Sequence, residues 1–247
     1  MKTLSLLLLL VTLTPLVQKQ QRQVLFDFRN DHEIKPAKIP LATQRMVLSK
    51  VFRRYLTDPN KCGSNIDAGE DFLSAARKAG QIVPSIAEMA TGSFTAPGQT
   101  ETAYLIFVNE CNASHADAFG SKRVAIFSGQ QLVADVDANF KGSIALKTDL
   151  NNDGINELLM TSGDMAQGNL TEMAALVSFQ NRRLNVIQDF TTVVDDSCAT
   201  AMPGSSSKAS VLSLTDAPPG EMPKIRRDNY IAGCGRVKRW RPYKSEI

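Results

Sequence analysis

From Ala103 onward the chain is divided into short apolar runs: 103–108, 123–127, 131–136, 143–147, 158–161, 174–179, 184–190 and 210–214. Gly, Asn, Asp and Pro separate them, and Ser128-Gly129 and Gln180-Asn181 read as hairpin turns. Runs this short fit strands and are too short for ordinary helices. Tight connections join neighbouring strands antiparallel, because a parallel pair needs a long crossover. The spacing therefore predicts a β-rich domain over residues 84–247, built from antiparallel hairpins in a meander. Pro203–Pro223, rich in Ser and Pro and holding one strand-like run, reads as an excursion from it.

The first third has a different character. Residues 18–41 are polar and contain Pro36 and Pro40, which suggests an extended leader. Between Ala42 and Leu56, the apolar residues Met46, Val47, Val51 and Tyr55 recur near helical spacing, and arginines and a lysine fill the opposite face. A second helix is expected over about 67–79, with Asp67 as N-cap, Glu70 completing a capping box and Gly80 ending it. The helical segment thus covers 42–83, and the fold class is α+β, mainly β.

Residues 1–17 are a targeting segment. Met1-Lys2 supplies the positive start and Leu4–Val17 an apolar run of 14 residues, short for a membrane span of about 20. No clean small-x-small cleavage site follows, so the segment reads as a signal peptide or as an N-terminal membrane anchor. Either way the chain is exported, to the periplasm or the extracellular space. In that setting Cys62, Cys111, Cys198 and Cys234 form a disulfide framework with three connectivities open; the shortest spacings join Cys62 to Cys111 and Cys198 to Cys234. The net charge of +3 gives no case for a nucleic-acid partner. Residues 224–247 hold eight Lys or Arg against two acids. They read as a solvated basic tail, or as a contact for an anionic membrane surface or polysaccharide, with Trp240 and Tyr243 as anchors.

Two stretches of the β region resemble each other. Gly98-x-x-Glu101 and the strand after it match Gly154-x-x-Glu157 and its strand at an offset of 56, and Phe127 and Leu132 match Phe179 and Leu184 at 52. A repeat near 50 residues with several strands per unit suggests one or two propeller-like blades. The second copy carries the chemistry: Asp149-Leu-Asn151-Asn-Asp153-Gly154-Ile155-Asn156-Glu157. Alternate side-chain oxygens precede a glycine that lets the chain fold back, and a carboxylate follows. An all-oxygen cage with three acids suits calcium better than magnesium, since a flexible loop need not hold strict octahedral geometry. An EF-hand would need a bidentate acid at the twelfth position, where Met160 stands.

The pattern resembles the calcium loop of FG-GAP repeats, the blades of integrin-alpha-like propellers. That resemblance implies a structural Ca2+ held by Asp149, Asn151, Asp153, the Ile155 carbonyl and Glu157, with Asn156 turned away from the ion. Glu157 stands where the family usually has Asp, and the first copy has Thr95-Ala96-Pro97 in place of ligands.

Catalytic signatures are missing. The two histidines, His32 and His115, sit in polar loop-like sequence with no nucleophile elbow, phosphate loop or zinc motif around them. The expected function is that of an exported, calcium-binding, non-catalytic binding or structural protein whose partner is an unknown protein or a surface polymer. The alternative is an exported hydrolase using a carboxylate pair.

Overall fold

A computed structural model of the chain describes residues 23–30, 38–62, 78–111, 121–138, 142–200, 202–218 and 220–244. The expected targeting segment, both histidines and residues 63–77, where most of a second helix is expected, lie outside them. The described residues form β1 (Gln23–Asp27), α1 (Leu41–Val51), β2 (Ile82–Gly92), β3 (Glu101–Glu110), β4 (Ser121–Ser128), β5 (Gln131–Asp137), β6 (Ser143–Thr148), β7 (Glu157–Ala166), β8 (Asn169–Ser178), β9 (Asn185–Asp196), β10 (Ser206–Leu214), β11 (Ile225–Gly233) and β12 (Arg241–Pro242). All the expected runs are strands, every pairing is antiparallel, and the class is α+β, mainly β.

Strands β2-β3-β4-β5 make one meander sheet and β6-β7-β8-β9-β10-β11-β12 a second, which curls on itself. β11 pairs with the whole length of β10. The other side of β10 is shared: β9 takes Ser207–Ala209 and β1 takes 211–214. Three cores follow from strand alternation. Ala103 and Leu105 of β3 meet Leu158 and Met160 of β7 between the sheets, joined by Phe94 and Phe179 edge to face at 6.4 Å. Tyr104, Ile106 and Val108 point the other way, onto Val47, Leu48 and Phe52 at α1. Leu159 and Leu176 line the inside of the curl, with Phe28, Phe190 and Leu212.

The internal repeat is visible in this packing. Setting Glu101 against Glu157 pairs Phe94 with Leu150, Ala103 with Leu159 and Tyr104 with Met160. Phe94 and Ala103 lie between the sheets, whereas Leu150 and Leu159 lie beyond the second one. Tyr104 faces the helix, whereas Met160 faces the middle core. Phe127 and Leu132 likewise face the helix, and their counterparts Phe179 and Leu184 face the middle core. The unit β2–β5 and the unit β6–β9 are therefore stacked front to back, each turning the same face in the same direction. Glu88 of β2 bridges them, accepting from the Ile144 amide at 2.6 Å, and Lys147 donates to the Thr91 carbonyl at 2.6 Å.

Several expectations are corrected. The leader contains β1, whose Phe26 pairs with Leu212. The first helix stops at Val51, because Phe52 turns extended to reach the core. The β region begins at Ile82, before the expected boundary at 84. Pro84 obscured β2, but β2 is the edge of its sheet, where the missing N–H costs no ladder bond. The 203–223 stretch contains β10, nine residues in full register with β11, so its strand is longer than the run expected at 210–214. The basic tail supplies β11 and β12. Arg227 of β11 hydrogen-bonds the Phe190 carbonyl at 2.5 Å and the Thr192 carbonyl, clamping a bend in β9 where Thr191 has φ +52°.

The disulfides are Cys62–Cys111 and Cys198–Cys234, with no free cysteine. Oxidised pairs fit an oxidising, exported setting. The second joins the end of β9 to the end of β11 across β10. Replacing Cys198 and Cys234 together by Ser is expected to cost roughly 3–4 kcal/mol by lost loop closure, read as a lower urea midpoint.

Burial raises the Glu88 carboxyl above its ordinary value, against the opposing hydrogen bonds from Ile144 and Ser143. A carboxyl raised on folding holds its proton more tightly in the folded chain. Its contribution is complete below the unfolded value near 4.5 and is lost as pH rises through the folded value. Glu88→Gln keeps an acceptor for Ile144 and removes the titration. Urea melts at pH 4 and pH 7 are expected to show wild type losing stability relative to Glu88→Gln as pH rises. A constant difference would place the strain elsewhere.

Candidate metal loop

The turn between β6 and β7 spans residues 149–156, and the turn between β2 and β3 spans 93–100. Both reverse at a positive-φ glycine in the same place, Gly154 at +82° and Gly98 at +72°. Both end in a buried glutamate that begins the next strand, Glu157 and Glu101. Each glutamate reaches back across its turn: Glu157 accepts from the Leu150 amide at 3.0 Å, and Glu101 from the equivalent Phe94 amide at 2.7 Å. The two turns touch. The Ser93 amide donates to Asn156 Oδ1 at 2.9 Å, and the Asn156 amide returns to the Ser93 carbonyl at 2.6 Å. A Cβ on Gly154 would come within 3.2 Å of the Pro97 side chain, and a Cβ on Gly92 would collide with Asn156 Oδ1.

The second turn is wound tightly by its own acids. Asp149 accepts from the amides of Asp153 at 3.1 Å and Gly154 at 3.0 Å. Asp153 accepts from the Ile155 amide at 2.8 Å and from the Asn151 side chain at 3.0 Å. Asn152 takes φ +57° to allow the winding, a conformation Asn tolerates better than most residues. Of the five expected ligands, Asp149, Asn151 and Asp153 are linked to one another directly. The Ile155 amide is tied to Asp153, with the Ile155 side chain buried, and Glu157 faces both aspartates.

The electrostatics of the two turns differ. Glu101 is saturated: Oε2 takes the Phe94 and Thr95 amides, and Oε1 takes the Thr95 hydroxyl at 2.5 Å. In the second turn burial drives the Glu157 carboxyl above its ordinary range. The Leu150 amide and its own amide pull it down, while Asp153 and Asp149 push it up further. Like charges gathered in a partly buried turn disfavour ionisation. Among the described residues no three His, Cys, Asp or Glu side chains are drawn close enough to make a cage by themselves. The donor set of the turn also includes the Asn151 amide oxygen and the Ile155 carbonyl. All its members are hard oxygens, which fits an alkaline-earth ion and not a soft metal.

Sequence reasoning missed the partners of this loop. The repeat pointed to Glu101, but nothing marked Ser93, 63 residues from Asn156. Among the described residues no helix is long and apolar enough to cross a membrane. No protein-family model, curated protein or solved structure matches the chain.

Asn156 faces the other turn, so Asn156→Ala is expected to cost about 1–2 kcal/mol through the orphaned Ser93 amide. The loss is expected to be equal in calcium and in chelator, read by urea titration. A loss seen only in calcium would place Asn156 in the ion's coordination shell.

Proposed function

We propose that this is an exported, non-catalytic binding or structural protein of the cell envelope or extracellular space, stabilised by calcium in the 149–157 turn. One observation carries the reading. Two turns share a length, a positive-φ glycine and a closing glutamate, yet only in the second do two aspartates, Asp149 and Asp153, raise the closing carboxyl further. The first turn is held by Glu101 on the Phe94 and Thr95 amides and the Thr95 hydroxyl, with no aspartate beside it. Asp149 and Asp153 cap amides of the turn and add negative charge beside Glu157 that the first turn does without, and a divalent cation would relieve it. Asp149, Asn151, Asp153, the Ile155 carbonyl and Glu157 would hold it. The ion would neutralise the turn and fix the entry of β7 into the middle core.

The oxidised cysteines support export, and residues 1–17 supply the export signal in this reading. The resemblance of the turn to FG-GAP repeats supports calcium as the ion. The partner would be another protein or a surface polymer. The front-to-back stacking of the two units is compatible with blade-like repeats.

Thermal melts test the ion. Binding to the folded chain alone adds RT ln(1 + [Ca2+]/Kd), about 2.7 kcal/mol at a hundredfold excess over Kd. Wild type is expected to melt higher in millimolar calcium than in chelator, and Asp153→Ala to lose most of that difference. An unchanged wild-type melting temperature would reduce the turn to a structural feature without a metal.

A further inference from the structure

The cleft at the C-terminal end of α1 gathers positive charge without the acids to match it. It measures about 440 Å3, and among the described residues Arg53, Arg54, Lys78 and Arg123 line it against one acid, Asp135. The imbalance extends through the helical layer, since residues 38–62 hold six Lys or Arg and one acid, Asp58. A helix C-terminus favours nearby cations, which accounts for Arg53 and Arg54 just beyond Val51. It does not account for Lys78 or for Arg123 of β4, which come to the same cleft from other parts of the chain.

Backbone contacts fix where these cations stand. The Leu56 amide donates to the Ile82 carbonyl at 2.8 Å, tying the segment after α1 to the start of β2. Gly80, at φ +73°, packs so closely on Arg54 that a Cβ there would come within 2.8 Å of the Arg54 Cβ. The glycine thus lets the segments carrying Arg54 and Lys78 approach each other. Arg123 is held by Asp135, Nε to Oδ1 at 2.7 Å, which occupies one of its five donors. Arg53, Arg54 and Lys78 are exposed and have no ion-pair partner among the described residues. Val51, Phe52 and Ile82 supply the apolar part of the lining.

A cleft lined by one sign of charge concentrates counter-ions. The side chains present select among them. A carboxylate brings a single charge, whereas a phosphate monoester brings nearly two and three strong acceptor oxygens. Guanidinium forks pair phosphate oxygens bidentately, and three of the four cations are arginines. The apolar lining takes the organic group that an ester carries and a bare ion lacks. We propose that this cleft binds a phosphate monoester, its oxygens on Arg53, Arg54, Lys78 and Arg123 and its organic group along Val51 and Phe52.

The test is isothermal titration calorimetry on the full chain at about pH 8, where the monoester is a dianion. Low salt limits screening, and chelator keeps the calcium turn out of the readout. Phenyl phosphate is expected to bind with Kd on the order of 0.1 mM, and phenyl sulfate and inorganic phosphate at least about fivefold more weakly. Arg53→Gln combined with Arg54→Gln is expected to weaken phenyl phosphate about tenfold or more at an unchanged melting temperature, since both side chains are exposed. Lys50→Gln removes an exposed cation of α1 outside the cleft and is expected to leave the affinity within about twofold. Sedimentation with phosphatidylcholine vesicles containing phosphatidic acid separates the sources of the group. Co-sedimentation that the double variant loses assigns it to a lipid, and no co-sedimentation beside phenyl phosphate binding assigns it to a soluble molecule. No saturation by about 20 mM phenyl phosphate, equal affinity for phenyl sulfate, an unchanged affinity in the double variant, or an equal loss in Lys50→Gln would overturn the proposal. None of these outcomes bears on the calcium melts.

Discussion

The middle core depends on strands that are buried on both faces. β3 sends Ala103 and Leu105 toward the second sheet and Tyr104, Ile106 and Val108 toward the helix, and β7 divides Leu158 and Met160 from Leu159 in the same way. A strand covered on both sides cannot be half polar, so its sequence becomes a continuous apolar run. Once the two units are stacked by those runs, two outer faces remain. α1 covers one, and the curl that brings β1 and β10 around covers the other. Helix, curl and disulfides follow from the need to bury what the stacked strands leave exposed.

The same fact explains what could be read from the sequence. Runs such as 103–108 and 158–161 stand out because they are buried twice over. β2 did not stand out: Ser, Glu and Thr dilute it, and Pro84 argues against a strand until its edge position is known. β11 was hidden by Arg226, Arg227 and Asp228, yet Arg227 is there to hold carbonyls of a bent neighbour, a duty that only the fold reveals. The turn at 149–157 was legible because its oxygens are spaced along the chain itself. Asn156 and Ser93 were not, because a hydrogen bond across 63 residues leaves no local pattern.

The two turns form an internal comparison. The two turns share a positive-φ glycine, Gly98 and Gly154, and a buried closing glutamate, Glu101 and Glu157. Around Glu101 the donors are amides and a hydroxyl. Around Glu157 two further acids take part. The two aspartates hold amides of their own turn, so the same backbone reversal is reached in one copy with a hydroxyl and in the other with charge.

Front-to-back stacking has a polarity that a symmetric sandwich lacks. In a sandwich of mirrored faces the two layers satisfy each other and growth ends there. Here the mating surfaces are unlike, so one end of the stack always presents the kind of face that the other end is shaped to receive. Such an interface is heterologous, and it closes only as a ring or when something blocks each end. In this chain α1 and the curled sheet act as those stoppers. The number of units in the stack is therefore set by the elements at its ends and not by the seam between its members.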